Sequence, residues 1–272
     1  MVKASNFPIG RVRLAAVLQD AGKIVCTDDV VQSLKVDRIT ASKLLSRWHR
    51  QGWFRRAGPG VYAAVDPAYL NFEQVLDHPW MIVPALFNPS YVGGRTAAHY
   101  WGLTDQIFLD TVVLTGRAVR SRNINTLGFR YTLKHIQTAK FFGLDCVWFE
   151  TIKVDFSDMH RTVLDILDDP SFGGGINHVA ECFHSYLNHE KRNDEALISY
   201  ADRLGNGAVF KRLGLLSERE PNTSFLVDAC IHRMTKGNAK LWPEVPCDRL
   251  VTRWHLFVPD WWDSYKGNDH EN

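Results

Sequence analysis

An α+β fold in two parts is predicted, a small N-terminal unit followed by a larger mixed α/β domain whose strands come first and helices later. Three observations predict it. Between Ile24 and Val65, two helical stretches lead into two short strand-like runs around Gly58-Pro59-Gly60, a turn sequence. Beyond Tyr91, runs of strand character at 110–115, 128–135 and 147–156 precede a largely helical stretch from Ile176 to about Met234. Charge divides the same way: residues 1–65 hold eleven Lys and Arg against four acids, a net +7, whereas the 272-residue chain carries +2, leaving −5 after Val65. A nucleic-acid footprint is therefore local to the first unit, and the rest of the chain is not expected to form a second broad surface of that kind.

In the first unit, Arg11 to Ala21 carries Val12, Leu14, Ala15, Val17 and Leu18 at helical spacing, and Gly22 closes it. After Ile24-Val25-Cys26, Thr27 is expected to cap a short helix running through Leu34, with Asp28 and Asp29 favouring its start. Lys35-Val36-Asp37 makes a tight connection; Asp37 caps a longer helix from Arg38 to Gln51, and Gly52 stops it. Trp53-Phe54-Arg55-Arg56 and Val61-Tyr62-Ala63-Ala64-Val65 then read as a hairpin. Domain limits follow: residues 1–66, a proline-punctuated connector at 67–90 with a short helix around Phe72 to Leu76, and a larger domain at 91–272.

This order is that of a winged helix-turn-helix, and the phase of its second helix carries the functional reading. At 100° per residue, Ala41, Leu44, Leu45 and Trp48 share one stripe, while Lys43, Arg47 and Arg50 lie opposite with Ser46 beside them. A recognition helix needs one face for the core and one for the major groove, its N-terminal turns nearest the base edges. Arg38, Thr40, Ser42 and Lys43 are the candidate base contacts; Arg47, Arg50 and the wing residues Arg55 and Arg56 are candidate phosphate clamps. Ile39 points to the exposed side, toward a thymine methyl or the preceding helix. A cationic stripe on a lone helix is more often a solvated face. Two further arginines at the spacing of a wing favour a nucleic-acid surface instead.

The larger domain opens at residues 91–103, where Arg95 or Thr96 starts a short helix that Gly102 ends. Asp110 to Thr115 reads as a buried strand; Gly128 to His135 and Val147 to Phe156 alternate as half-buried strands. Ser157 or Asp158 caps a helix from Met159 to Leu167, and Gly173-Gly174-Gly175 leads into the helical region. Thr252 to Val258 is the last strand, and the tail after Tyr265 reads as disordered. There is no internal repeat or low-complexity segment.

Motifs that could carry catalysis fall short of it. Arg161 and Asp165 stand four apart on a helix, the spacing of an ion pair that anchors the fold. Glu150 and Lys153 form E-x-x-K, which on a strand sends the two side chains to opposite faces. The triple glycine lacks the Gly-Lys-Ser/Thr of a phosphate loop. His178, Cys182 and His189 could share a helical face but want a fourth zinc ligand. The aromatics Trp148, Phe149, Trp242, Trp254, Trp261 and Trp262 follow no repeated spacing and read as core or interface. Neither metal nor cofactor is expected. Five widely spaced cysteines without a C-x-x-C pair suit reduced thiols, and no apolar run reaches a membrane span, so a soluble cytoplasmic protein is expected.

The chain resembles the AbiEi-type antitoxins, transcriptional regulators of phage-abortive-infection systems. The resemblance rests on the residues 55–62 at the wing, on Thr96-Ala97-Ala98-His99-Tyr100-Trp101-Gly102-Leu103, and on the strand Thr111 to Thr115. It extends to His160-Arg161-Thr162-Val163-Leu164-Asp165 and Phe210-Lys211-Arg212-Leu213-Gly214-Leu215-Leu216. His160 stands where the family pattern has an acid, which marks a divergent member. The resemblance implies an autorepressor on inverted repeats upstream of its own operon, with the second domain supporting cooperative self-association on DNA. It also implies opposition to a nucleotidyltransferase-like toxin without a stable complex. The expected function is thus a non-enzymatic, sequence-specific repressor of double-stranded DNA that serves as an antitoxin. The alternatives are a DNA-targeted nuclease or other enzyme guided by the winged unit, or a protein-interaction adaptor.

Overall fold

The computed structural model describes residues 9–65 and 76–264. The helix expected near Phe72 and the tail after Tyr265 lie outside those residues. Helix α1 (Ile9–Ala21) ends at Gly22, whose φ of 74° only glycine adopts freely. Its buried stripe is Leu14 and Val17; Val12 and Ala15 face solvent. Strand β1 (Ile24–Cys26) runs straight into α2 (Thr27–Leu34), then come α3 (Arg38–Arg50), β2 (Phe54–Gly58) and β3 (Val61–Ala64). The three strands form an antiparallel sheet in the order β1-β3-β2. One expected cap moves by a residue. With no loop between β1 and α2, the cap position is Cys26, whose N–H donates to the Asp29 carboxylate at 2.6 Å. Thr27 is buried instead and ties α2 to the wing turn, its N–H and hydroxyl both reaching the Gly60 carbonyl (2.9 and 3.3 Å).

Residues 79–90, read from sequence as part of a connector, fold into a 3-10 turn (Pro79–Ile82) and α4 (Val83–Phe87). Then follow β4 (Ser90–Val92), α5 (Gly94–Tyr100), β5 (Asp110–Thr115), β6 (Asn123–Thr126), β7 (Phe129–His135), β8 (Leu144–Phe149) and β9 (Ile152–Ser157). These six strands make one mixed sheet, β6-β7-β5-β4-β9-β8, parallel where β5 meets β7 and β4 meets β9. The single strand expected over Val147–Phe156 is a hairpin, because Glu150 takes a positive φ of 54° and turns the chain. Short strands β4 and β6 escape sequence detection because three or four residues carry too little alternation to register.

Alternation along the strands splits the sheet between two cores. Val92 and Val113 point to one face with Met81, Ile82, Val83 and Phe87; Tyr91, Val112 and Leu114 point to the other. Ile24, Val61 and Ala63 of the small sheet join the first of these cores, so the back of the winged unit is buried against the larger sheet. Helix α6 (Met159–Asp168), capped by Asp158 through the Arg161 N–H, is buried almost all round, as a helix at the centre of a core must be. Around it stand α7 (Ile176–Leu187), α8 (Asp194–Leu204), α9 (Gly207–Ser217) and α10 (Ser224–Arg233). Three short strands, β10 (Ala239–Lys240), β11 (Arg249–Val251) and β12 (Leu256–Val258), form a small sheet, and a 3-10 turn (Asp260–Ser264) ends the described chain. The strand expected over Thr252–Val258 starts only at Leu256, after a 3-10 turn that His255 ends at φ 50°. Among the described residues no helix is long and apolar enough to cross a membrane, and all five cysteines are free thiols.

Candidate nucleic-acid interface

The site is built on α3. The Asp37 carboxylate accepts from the N–H groups of Ile39 and Thr40 at 2.9 Å and from the Thr40 hydroxyl at 2.6 Å. The hydrogen bonds from Thr40, hydroxyl first, hold this carboxyl below the usual aspartate range, so it is ionised at neutral pH. Ala41, Leu45 and Trp48 are buried against α1, β2 and β3, and Trp48 meets Phe54 at a ring separation of 6.0 Å. At the helix end, His49 Nδ1 bonds the Phe54 carbonyl at 2.8 Å and fixes where the wing departs.

The opposite face is open. Arg38, Ile39, Ser42, Lys43, Ser46, Arg47 and Arg50 line one shallow concavity along α3. Among the described residues, the side chains of Lys43, Arg47, Arg50 and the wing's Arg55 have no hydrogen-bond or ion-pair partner. Arg56 donates to the Gly58 carbonyl of its own strand at 3.3 Å, its one side-chain partner among the described residues. Arg38 pairs with Asp28 of α2, both well exposed; a pair in that setting contributes little and exchanges readily for another anion. Thr40 is the exception among the expected base contacts: half-buried and bonded to Asp37, it serves the cap instead of presenting a free hydroxyl. Ile39 is 69% exposed, so it is not buried against α2.

The other motifs have structural employment. Arg161 and Asp165 form a buried pair at 2.9 Å, and the Tyr91 hydroxyl, pushed well up by burial, donates to Asp165 at 3.0 Å while accepting from Arg161 at 3.1 Å. His160 is half-buried between Tyr186 and Tyr200, and burial lowers its pKa. Glu150, in the turn, pairs with Lys23 at 2.6 Å, while Lys153 approaches Asp155 at 3.9 Å. His178 Nδ1–H donates to the Gly173 carbonyl at 2.5 Å and its Nε2 meets the Thr104 hydroxyl at 2.8 Å. Burial pushes the neighbouring Cys182 thiol up to about 12, and His189 lies beyond the end of α7. Gly174 and Gly175, at φ 88° and 102°, lead into α7 as a helix start. Sequence reasoning missed Thr126 of β6 and Leu86 of α4, which meet the wing from the larger domain; both are far from it along the chain, and no local pattern signals such a contact.

Three helices, a hairpin wing and a cationic groove face define a winged helix-turn-helix joined to a larger α+β domain. Residues 12–65 match the family model described as transcriptional regulator, AbiEi antitoxin, a match that spans the winged unit alone. Over nearly its whole length the chain is similar in fold to the crystal structure of RV2827C protein from Mycobacterium tuberculosis. The TM-score is 0.63 at 14% sequence identity, covering 93% of this chain and 92% of that one. No curated protein matches the sequence.

Proposed function

We propose that this protein is a sequence-specific DNA-binding autorepressor that serves as the antitoxin of an AbiE-like toxin–antitoxin pair and acts in the cytoplasm without catalysis. One observation carries the reading: α3 buries Ala41, Leu45 and Trp48 while presenting Lys43, Arg47 and Arg50, unpaired among the described residues, along one concavity, and Arg55 and Arg56, outside that concavity, are exposed on the wing strand that follows. The family match over the same residues supports it. In this reading Arg38, Ser42 and Lys43, in the first turns of α3, face base edges in the major groove. Ser46, Arg47, Arg50, Arg55 and Arg56 hold phosphates and set register. Two copies on an inverted repeat then occlude the promoter, and the toxin is opposed without a stable complex between the two proteins.

Titrating the full-length protein against its own upstream region and against a scrambled duplex, at one physiological salt concentration, tests specificity. The expected outcome is own-promoter binding tighter by about a thousandfold or more. Equal affinity for both duplexes excludes a sequence-specific repressor and favours an adaptor or a non-specific binder.

A further inference from the structure

The wing does not stand alone. Its strands pair Arg56 with Tyr62 and Gly58 with Val61, which leaves Ala57 as the extra residue of a β-bulge directly after the two arginines. A bulged residue has no place in the ladder, so its carbonyl needs another donor. The larger domain supplies it: the Thr126 hydroxyl donates to the Ala57 carbonyl at 2.7 Å. Thr126 is itself held firmly, as the last residue of β6 before a two-residue turn, Leu127-Gly128, with both φ values positive. Beside this bond, Leu86 of α4 lies against the Gly58 backbone, where an added Cβ would meet its Cδ2 at 2.7 Å. Ala57, Leu86, Ile124 and Leu127 are half-buried and pack against the core under that sheet face. At the far edge of the small sheet, Lys23 bonds Asp77 (3.0 Å) and Glu150 (2.6 Å), so the winged unit is held at both sides.

We infer that Thr126 and Leu86 are positioning residues for DNA binding: they fix the bulge, and through it the direction in which Arg55 and Arg56 leave the wing. This rests on the DNA-binding reading and extends it, making the larger domain a contributor to affinity through a pre-set wing and not through contact with DNA. Leaving the Ala57 carbonyl without its donor lets the wing relax, and the two arginines then pay an ordering cost on binding.

The test compares full-length wild type, Thr126→Val, Thr126→Ser, Leu86→Ala and Arg55→Ala/Arg56→Ala on the protein's own upstream duplex across a salt series. Thr126→Val keeps the side-chain shape and removes the donor. It is expected to weaken binding about threefold to tenfold, to flatten the salt slope toward that of the double-arginine variant, and to add nothing in that variant's background. Thr126→Ser, which keeps the hydroxyl, restores both quantities, and Leu86→Ala shifts them the same way as Thr126→Val by a different contact. A Thr126→Val protein with wild-type affinity and slope, or one whose loss adds in full to that of the arginine variant, overturns the inference and leaves the DNA-binding reading standing. Unchanged binding in both the double-arginine variant and Lys43→Ala/Arg47→Ala defeats the underlying reading and this inference with it.

Discussion

Arg161, Asp165 and Tyr91 show what a buried polar cluster asks of single residues. The ion pair is almost wholly out of water, with side-chain exposures of 1% and 4%, and the Arg161 guanidinium carbon lies 4.3 Å from the Phe142 ring centroid. Replacing Arg161 by Met strands a carboxylate in the core, and urea unfolding is expected to show a loss of about 3–5 kcal/mol. Arg161→Met combined with Asp165→Leu is expected to recover most of that loss, because an apolar pair of similar volume needs no desolvation to be offset. A single variant within about 1 kcal/mol of wild type would mean that the pair behaves as a surface pair. The i to i+4 spacing made the pair legible in the sequence. Tyr91 did not show itself there, since it arrives from β4, seventy residues earlier, and only the fold brings its hydroxyl to the carboxylate. Thr40 illustrates the same boundary: spacing placed it correctly at the N-terminus of α3, but whether its hydroxyl was free depended on the rotamer that Asp37 captures.

Among the elements, α3 was the most legible, because a thirteen-residue helix with one apolar stripe and a capping aspartate states its limits and its orientation in the sequence itself. Its cap is also its point of sensitivity. The Asp37 carboxyl titrates below its ordinary range because of the Thr40 hydroxyl and backbone bonds, so the contribution of the cap is present at neutral pH and falls away in acid, as pH drops through a folded value lower than the usual aspartate one. Asp37→Ala is expected to speed amide exchange at Ile39 and Thr40 at pH 7 while leaving the Leu45 to Trp48 turn protected. In the wild type the same two amides lose protection on acidification. Exchange at Ile39 and Thr40 that ignores both the substitution and the acid would remove Asp37 from the start of the recognition helix. Elements set by long-range contact were less legible. Thr27 reads as a cap from sequence, but β1 leaves no loop for it; the hairpin at Glu150 reads as one strand because each arm alternates, although the apolar positions shift from Val147 and Phe149 to Ile152, Val154 and Phe156 across the turn.

At the scale of the whole molecule, the sequence indicated two units by their opposite charge and different order of elements, and it placed a connector between them. That description omits how closely the units meet. Met81, Ile82, Val83 and Phe87 from that segment form a layer between the small sheet and the large one, and Ile24, Val61 and Ala63 share their core. Such contacts depend on which strand faces meet, a property of the tertiary fold that periodicity along one strand does not encode. Their consequence is that the α3 face and the wing reach a duplex as one preset surface, held by the larger domain. The salt dependence of binding to the protein's own upstream duplex tests this surface most directly. Four cations acting on phosphates, Arg47, Arg50, Arg55 and Arg56, give each copy a slope of about −3.6 in log K against log salt. Lys43→Ala with Arg47→Ala is expected to weaken binding and, through the loss of the Arg47 phosphate contact, to flatten that slope by about 0.9. Affinity and slope both unchanged in that variant would contradict the assignment of this face to DNA.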